Sequence, residues 1–326
     1  MIKRLPMPKT LRILPVLLLV LLFSACRGGR GGRTPAAPAP KNFPMVEVPS
    51  VYSANDERLD YAATHFWDRF FREDGVTDTA LIRGVPKDQV EQALSNYILM
   101  LNSEPKARAQ AQVAAFYQAL EAAQRADTAS TQYLQVSRMV EHYLYDPNSP
   151  FRDEDLFLPW VSGMAASEFI SEDDRPGYIY QARTCAMNPY GTQAPDFVFR
   201  DLRGRNHHLY EVRAEYTLLF FSNPGCASCQ EIIDEVMGRP YMEEYLRSGR
   251  VAVVNIYIDE DLETWRAYAP KYPASWYSGY DPALAIRDDR LYVVRAIPSL
   301  YLLDADKNIL MKDAPTERVL AFLDTI

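Results

Sequence analysis

Tyr216-Thr-Leu-Leu-Phe-Phe-Ser-Asn-Pro-Gly-Cys-Ala-Ser-Cys229 decides how this chain folds. Tyr216 to Phe221 is an apolar run of strand length, Ser222-Asn-Pro-Gly225 is a turn, and helical spacing follows. The two cysteines therefore stand where a buried strand turns into a helix. The free N–H groups and positive dipole end of a helix start favour a thiolate, so Cys226 is the expected nucleophile, with a lowered pKa. Cys229 lies one turn further on. It can attack the Cys226 sulfur and release a mixed disulfide from within. Ala227 and Ser228 are small and uncharged, and they leave the redox potential unset.

The flanks supply the rest of a layered domain. Asp196–Arg200 and His207–Val212 alternate like strands around the turn Arg203-Gly-Arg-Asn206 and read as a hairpin. After the cysteines a helix runs to about Leu246, and Val251–Ile258 is a second buried strand. A helix near Leu262–Tyr268 precedes an irregular stretch to Pro282. Ser299–Leu303 and Ile309–Lys312 pair around the Asp304–Asn308 turn, and a helix over Thr316–Asp324 closes the chain. Ile297-Pro298, at the start of a strand, is a candidate cis bond.

Taken together, the start at Gly191–Asp201, the Cys226/Cys229 pair and the late Ile297-Pro298 resemble the thioredoxin superfamily. Asn188-Pro-Tyr-Gly-Thr-Gln-Ala-Pro-Asp-Phe197 is particularly similar to the TlpA/ResA-like group of membrane-tethered thiol-disulfide oxidoreductases. The resemblance implies an α/β thioredoxin-like domain over 188–326, a central mixed sheet flanked by helices. It implies exchange at Cys226 and Cys229 with no cofactor, and a substrate chain docked as an extra strand beside Ile297 and Pro298. Two residues depart from the pattern. Gly225 stands where thioredoxins usually have Trp, and Phe220-Phe221 occupy the strand that often carries a buried carboxylate. Glu231 and Glu235, on the first turns of the helix, are candidate substitutes for proton handling; a solvated helix face is the plainer account of both.

Other uses of the cysteines can be weighed. A zinc site needs two more ligands, and His207-His208 is the one nearby pair; neighbours on a strand point to opposite faces. Hence no metal is expected. A peroxiredoxin would place Thr or Ser three residues before its reactive cysteine, which Ser222-Asn-Pro-Gly-Cys226 does not do. A purely structural disulfide stays open. Cys185 has two readings, a third redox cysteine or a buried free thiol.

The chain of 326 residues exceeds one small core. Val51 to Met187 has helical periodicity and reads as an α-helical N-terminal domain (51–187). One helix is predicted from a cap at Ser53 or Asn55 through Phe71, placing Phe66, Trp67 and Phe70 on a core face. Others follow at Lys87–Leu101, Lys106–Arg125, Thr131–Tyr145 and Asp153–Phe169, the last split by Pro159. Pro105, the 146–150 stretch and Pro176 are breaks. His65 and His142 lack a ligand partner at helical spacing and are read as structural. His65-Phe-Trp-Asp68 and Tyr145-Asp-Pro-Asn-Ser-Pro150 resemble an uncharacterised helical domain found before thioredoxin-like domains in Gram-negative lipoproteins.

Residues 1–25 read as a secretory signal, with Lys3, Arg4, Lys9 and Arg12 before a short apolar run. Phe23-Ser-Ala-Cys26 resembles a lipobox, with Phe23 where Leu is usual, and implies lipidation of Cys26. Residues 26–50, Gly/Arg-rich and then Pro/Ala-rich, form a tether. Loss of the four signal cations deepens the formal net charge from −8 to −12, which argues against a nucleic-acid partner. The expectation is a lipid-anchored protein on the periplasmic side of a Gram-negative envelope, at the outer membrane. There it would act, as a reductase, on exported protein thiols and disulfides, fed by a membrane electron donor. The alternative is a non-catalytic binding lipoprotein whose helical domain recruits a partner.

Overall fold

The computed structural model describes residues 39–326. The signal (1–25), the lipidation site Cys26 and the tether as far as residue 38 lie outside the described residues. Phe66, Trp67 and Phe70 are buried together, but not on one helix as expected. The first helix, α1 (Asn55–Thr64), starts after Ala54 without a side-chain cap, and α2 (Asp68–Arg72) follows a turn. Asp68 fastens that turn, its carboxylate 2.8 Å from the His65 ring and its N–H donating to the His65 carbonyl. The break lets the adjacent Phe66 and Trp67 both point inward, and Trp67 stacks flat on Phe116 at 4.1 Å.

A two-strand hairpin, β1 (Leu81–Ile82) and β2 (Val85–Pro86), leads into α3 (Lys87–Leu101), α4 (Lys106–Ala126) and α5 (Gln132–Leu144). The helix α6 (Glu154–Ala166) is continuous through Pro159, against the expected split. Proline has no N–H to give the carbonyl four residues back. That carbonyl, of Asp155, instead accepts from Gln110 Nε2 of α4 at 2.9 Å. Pro176, read as a break, starts α7 (Arg175–Cys185) in the first turn, where a missing N–H costs nothing. A side chain at Gly163 of α6 would collide with the Tyr117 ring. Alanine gains about 1 kcal/mol of helix propensity, but overpacking costs ~1–3 kcal/mol. Gly163→Ala should therefore lose stability in a denaturant titration; an unchanged midpoint would mean that the ring gives way.

The C-terminal half is a seven-stranded mixed sheet flanked by helices. In chain order it contains β3 (Val198–Asp201), β4 (Asn206–His208), β5 (Tyr216–Phe221), α8 (Ala227–Met237), α9 (Met242–Ser248), β6 (Val251–Tyr257), α10 (Leu262–Tyr268), β7 (Tyr277–Tyr280), α11 (Ala285–Asp288), β8 (Ser299–Leu303), β9 (Ile309–Met311) and α12 (Thr316–Leu323). The order across the sheet is β4-β3-β7-β6-β5-β8-β9. Strands β5, β6 and β7 run parallel, and β8 is antiparallel to β5. Both faces of β5 are covered: Leu218 and Phe220 enter one core, Leu219 and Phe221 the other.

Three expectations change here. The helix after the cysteines stops at Gly238, and α9 is separate, because Pro240 cannot extend it. The second hairpin strand ends at His208, where the Glu211 carboxylate accepts the His208 N–H and closes a 3₁₀ turn. The irregular stretch hides β7, whose Gly279 lies so close to Phe199 and the Arg200 carbonyl that no side chain would fit.

Residues 39–326 form one compact unit. The head of α6 joins its halves through three consecutive acids. Asp153 pairs with Lys106 at 2.5 Å and with Arg318 of α12 at 2.6 Å. Glu154 lies 2.6 Å from Arg295 and 3.5 Å from Lys312. The Asp155 carboxylate accepts the Tyr190 N–H.

Candidate functional site

The loop after β5 leaves the C-terminal end of that strand beside the end of parallel β6, the usual position for sites in parallel sheets. Gly225 has φ +73°, the left-handed region that glycine tolerates, and it delivers Cys226 to the N-cap of α8. The Cys226 sulfur accepts the Cys229 N–H at 3.1 Å. Cys226 and Cys229 are joined in a disulfide with a Cα–Cα separation of 5.2 Å. Cys226 is partly exposed, whereas Cys229 is 2% exposed. An incoming thiol or disulfide therefore meets the Cys226 sulfur first. When the pair is reduced, the capping N–H and the helix dipole favour negative charge on that sulfur.

The Ile297-Pro298 bond is cis. It borders a groove of about 540 Å³ running from Ser228, Glu231 and Glu235 on α8 to Ala296–Pro298. Across it stand Pro147–Pro150 and Arg152 of the helical half. Glu231 and Glu235 face this groove, and among the described residues neither has an ion-pair partner.

The other sequence candidates lie elsewhere. Cys185 is wholly buried in the helical core, and burial pushes its thiol well above the usual range. Its carbonyl accepts a hydrogen bond from Lys312. His207 pairs with Asp201 and His208 with Asp196, both at 3.1 Å, so the two rings are engaged separately. His65 and His142 pair with Asp68 and Asp146. Among the described residues no cluster of His, Cys, Asp and Glu is arranged to hold a metal ion.

Two features escaped the sequence reading. Ser222, buried where β5 ends, donates to Asn255 Oδ1 at 2.6 Å, and its hydroxyl lies 3.3 Å from that of Tyr272. Asn255 inside the run Val251-Ala-Val-Val-Asn-Ile-Tyr257 was the available signal, since a polar residue in a buried strand needs partners. The second feature is Arg295, whose side chain is 16% exposed. It donates to the Tyr145 carbonyl, stacks over the Tyr145 ring and pairs with Asp313 at 3.2 Å.

A crystal structure of a thioredoxin-like protein from Bacteroides caccae ATCC 43185 superposes with a TM-score of 0.72 at 31% identity, covering 87% of this chain and 99% of that one. This chain belongs to the thioredoxin-like proteins. Its helical half carries a second match: residues 25–185 fit a family described as a domain of unknown function (DUF5106). The thioredoxin-like domain is also similar to the thiol-disulfide oxidoreductase ResA of Geobacillus thermodenitrificans (strain NG80-2), 27% identical over 126 residues. ResA of Geobacillus kaustophilus (strain HTA426) is 26% identical over the same length. Each match spans 36% of this chain and 66% of the relative, just under two thirds of its length. In this thioredoxin-like chain, then, the cysteine pair and the cis proline lie in the half that matches the oxidoreductases, while the groove that the proline borders is walled on one side by the helical half.

Proposed function

We propose that this protein is a thiol-disulfide oxidoreductase that works as a membrane-tethered reductase of exported proteins. The observation that carries the reading is a cysteine pair at the head of α8, one residue partly exposed and one buried, beside a groove bordered by a cis proline. In the reducing direction, the Cys226 thiolate attacks one sulfur of a client disulfide. A Cys226–client mixed disulfide forms and the second client sulfur leaves as a thiolate. Cys229, once deprotonated, then attacks the Cys226 sulfur; the client's first sulfur departs and the Cys226–Cys229 disulfide closes. Two electrons have passed to the client, and a membrane donor must return them. The similarity to ResA and the lipobox-like Cys26 support a tethered reductase. The signal-like residues 1–25 support a periplasmic site, and the Gram-negative lipoprotein resemblance supports the outer membrane.

Equilibration in glutathione or dithiothreitol buffers, with differential alkylation and mass spectrometry of each cysteine, tests the proposal. Reversible interconversion of the pair is expected, at a potential near ~−270 mV for a reductase. A value near ~−120 mV would reassign it as an oxidant. A pair that stays locked across the whole range would remove the catalytic reading.

A further inference from the structure

We propose that the helical half is part of the redox site: it walls the client groove and, through Glu154, positions the Pro298 loop. The occupant is an extended, cationic client segment carrying the disulfide. This rests on the exchange reading above and assigns a role to the region of unknown function.

The wall is built rather than incidental. Ser149 is buried, donates to the Tyr143 carbonyl at 2.6 Å and accepts the Phe151 N–H, while the Asn148 N–H donates to Asp146. Arg152 staples the loop across the gap, donating to the carbonyls of Pro147, Asp313 and Ala314. Opposite it, the residues flanking Pro298 are held from both sides. Arg295 is fixed by the Tyr145 carbonyl and by Glu154, the latter a close ion pair whose N–H is not aligned as a hydrogen bond. Ser299 donates to Asp313 at 2.9 Å, and the same carboxylate pairs with Arg295. Tyr145 and Glu154 belong to the helical half. The backbone that would receive a docked strand is thus held by Asp313 from within the thioredoxin-like domain and by Tyr145 and Glu154 from outside it.

Charge selects the occupant. Glu231, Glu235 and Glu317 line the groove without a cationic partner among the described residues, and Arg152 is committed to carbonyls. Lysine or arginine beside the client cysteine would meet three exposed carboxylates that have no ion-pair partner among the described residues, an attraction that salt screens.

Steady-state exchange by the full chain, with cystine peptides matched in length and flanked by Lys or by Glu, tests this. The Lys-flanked peptide should have a KM about fivefold lower, a gap that narrows as salt rises. Glu154→Gln should raise that KM about tenfold while kcat and the potential of the pair stay put, the mark of weakened client docking with the chemistry intact. Asn148→Trp, on the exposed wall, should raise it too and serves if Glu154→Gln does not fold. Failure of the wild-type chain to exchange with either peptide would sink the proposed function itself. Normal exchange with equal KM for the two peptides overturns the cationic occupant. Unchanged KM in the variants, or a shift in potential or kcat alone, overturns the role of the helical half.

Discussion

Cys229→Ser is expected to leave the protein covalently joined to its clients, while Cys226→Ser joins nothing and loses exchange about a thousandfold or more. The asymmetry follows from burial and capping. Cys226 is the sulfur that an incoming disulfide can reach, and it occupies the N-cap of α8. Cys229, 2% exposed, can reach the Cys226 sulfur but not a bulky client. Without Cys229 the mixed disulfide forms at Cys226 and has no internal thiol to resolve it, because Cys185 is wholly buried in the helical core. Non-reducing electrophoresis should show high-mass adducts in Cys229→Ser that vanish with dithiothreitol. Adducts in Cys226→Ser would reverse the assignment of attacker and resolver. Undiminished exchange in Cys226→Ser would remove the pair from the chemistry altogether.

What could be read from the sequence was what local chemistry dictates. The apolar runs at Tyr216 and Ser299 give β5 and β8 at their predicted bounds, because a strand covered on both faces has no polar side to blur its pattern. The cysteine pair was equally legible, since its reactivity comes from the turn and helix start that contain it. Tyr277-Ser-Gly-Tyr280 was missed because β7 owes its place to β3 and β6 on either side, not to its own hydropathy. Pro159 misled for a related reason. A proline's meaning depends on who takes the orphaned carbonyl, and Gln110 sits far away in the chain. The groove was the least legible element. Arg295 looks like any loop arginine until the fold sets Glu154, Tyr145 and Asp313 around it.

Asp153→Ala is expected to lower stability by about 3–5 kcal/mol, a large part of the ~5–15 kcal/mol margin of an ordinary domain. One carboxylate, 5% exposed, does several jobs. It caps α6 by accepting the Leu156 N–H at 3.0 Å, and it lies 2.5 Å from Lys106 and 2.6 Å from Arg318. Losing the cap costs about 1 kcal/mol. Stranding two largely buried cations costs more, and one of them tethers α12 to the helical half. Asp153→Asn should recover the cap but not the pairs. The pH dependence separates these contributions. Burial alone would raise the Asp153 pKa, but Lys106 and Arg318 overcome it and hold the group well below the carboxylate range. A carboxyl depressed in the fold stabilises fully above its unfolded pKa of about 3.9 and loses that contribution as pH falls toward the folded value. Burial pushes Glu154 and Asp155 the opposite way, so their contributions weaken with rising pH. Subtracting the Asp153→Asn stability from that of the parent cancels those two acids to first order. The difference should be flat above about pH 5 and shrink below about pH 4. If it stays flat into acid, the ion pairs are not what joins the halves.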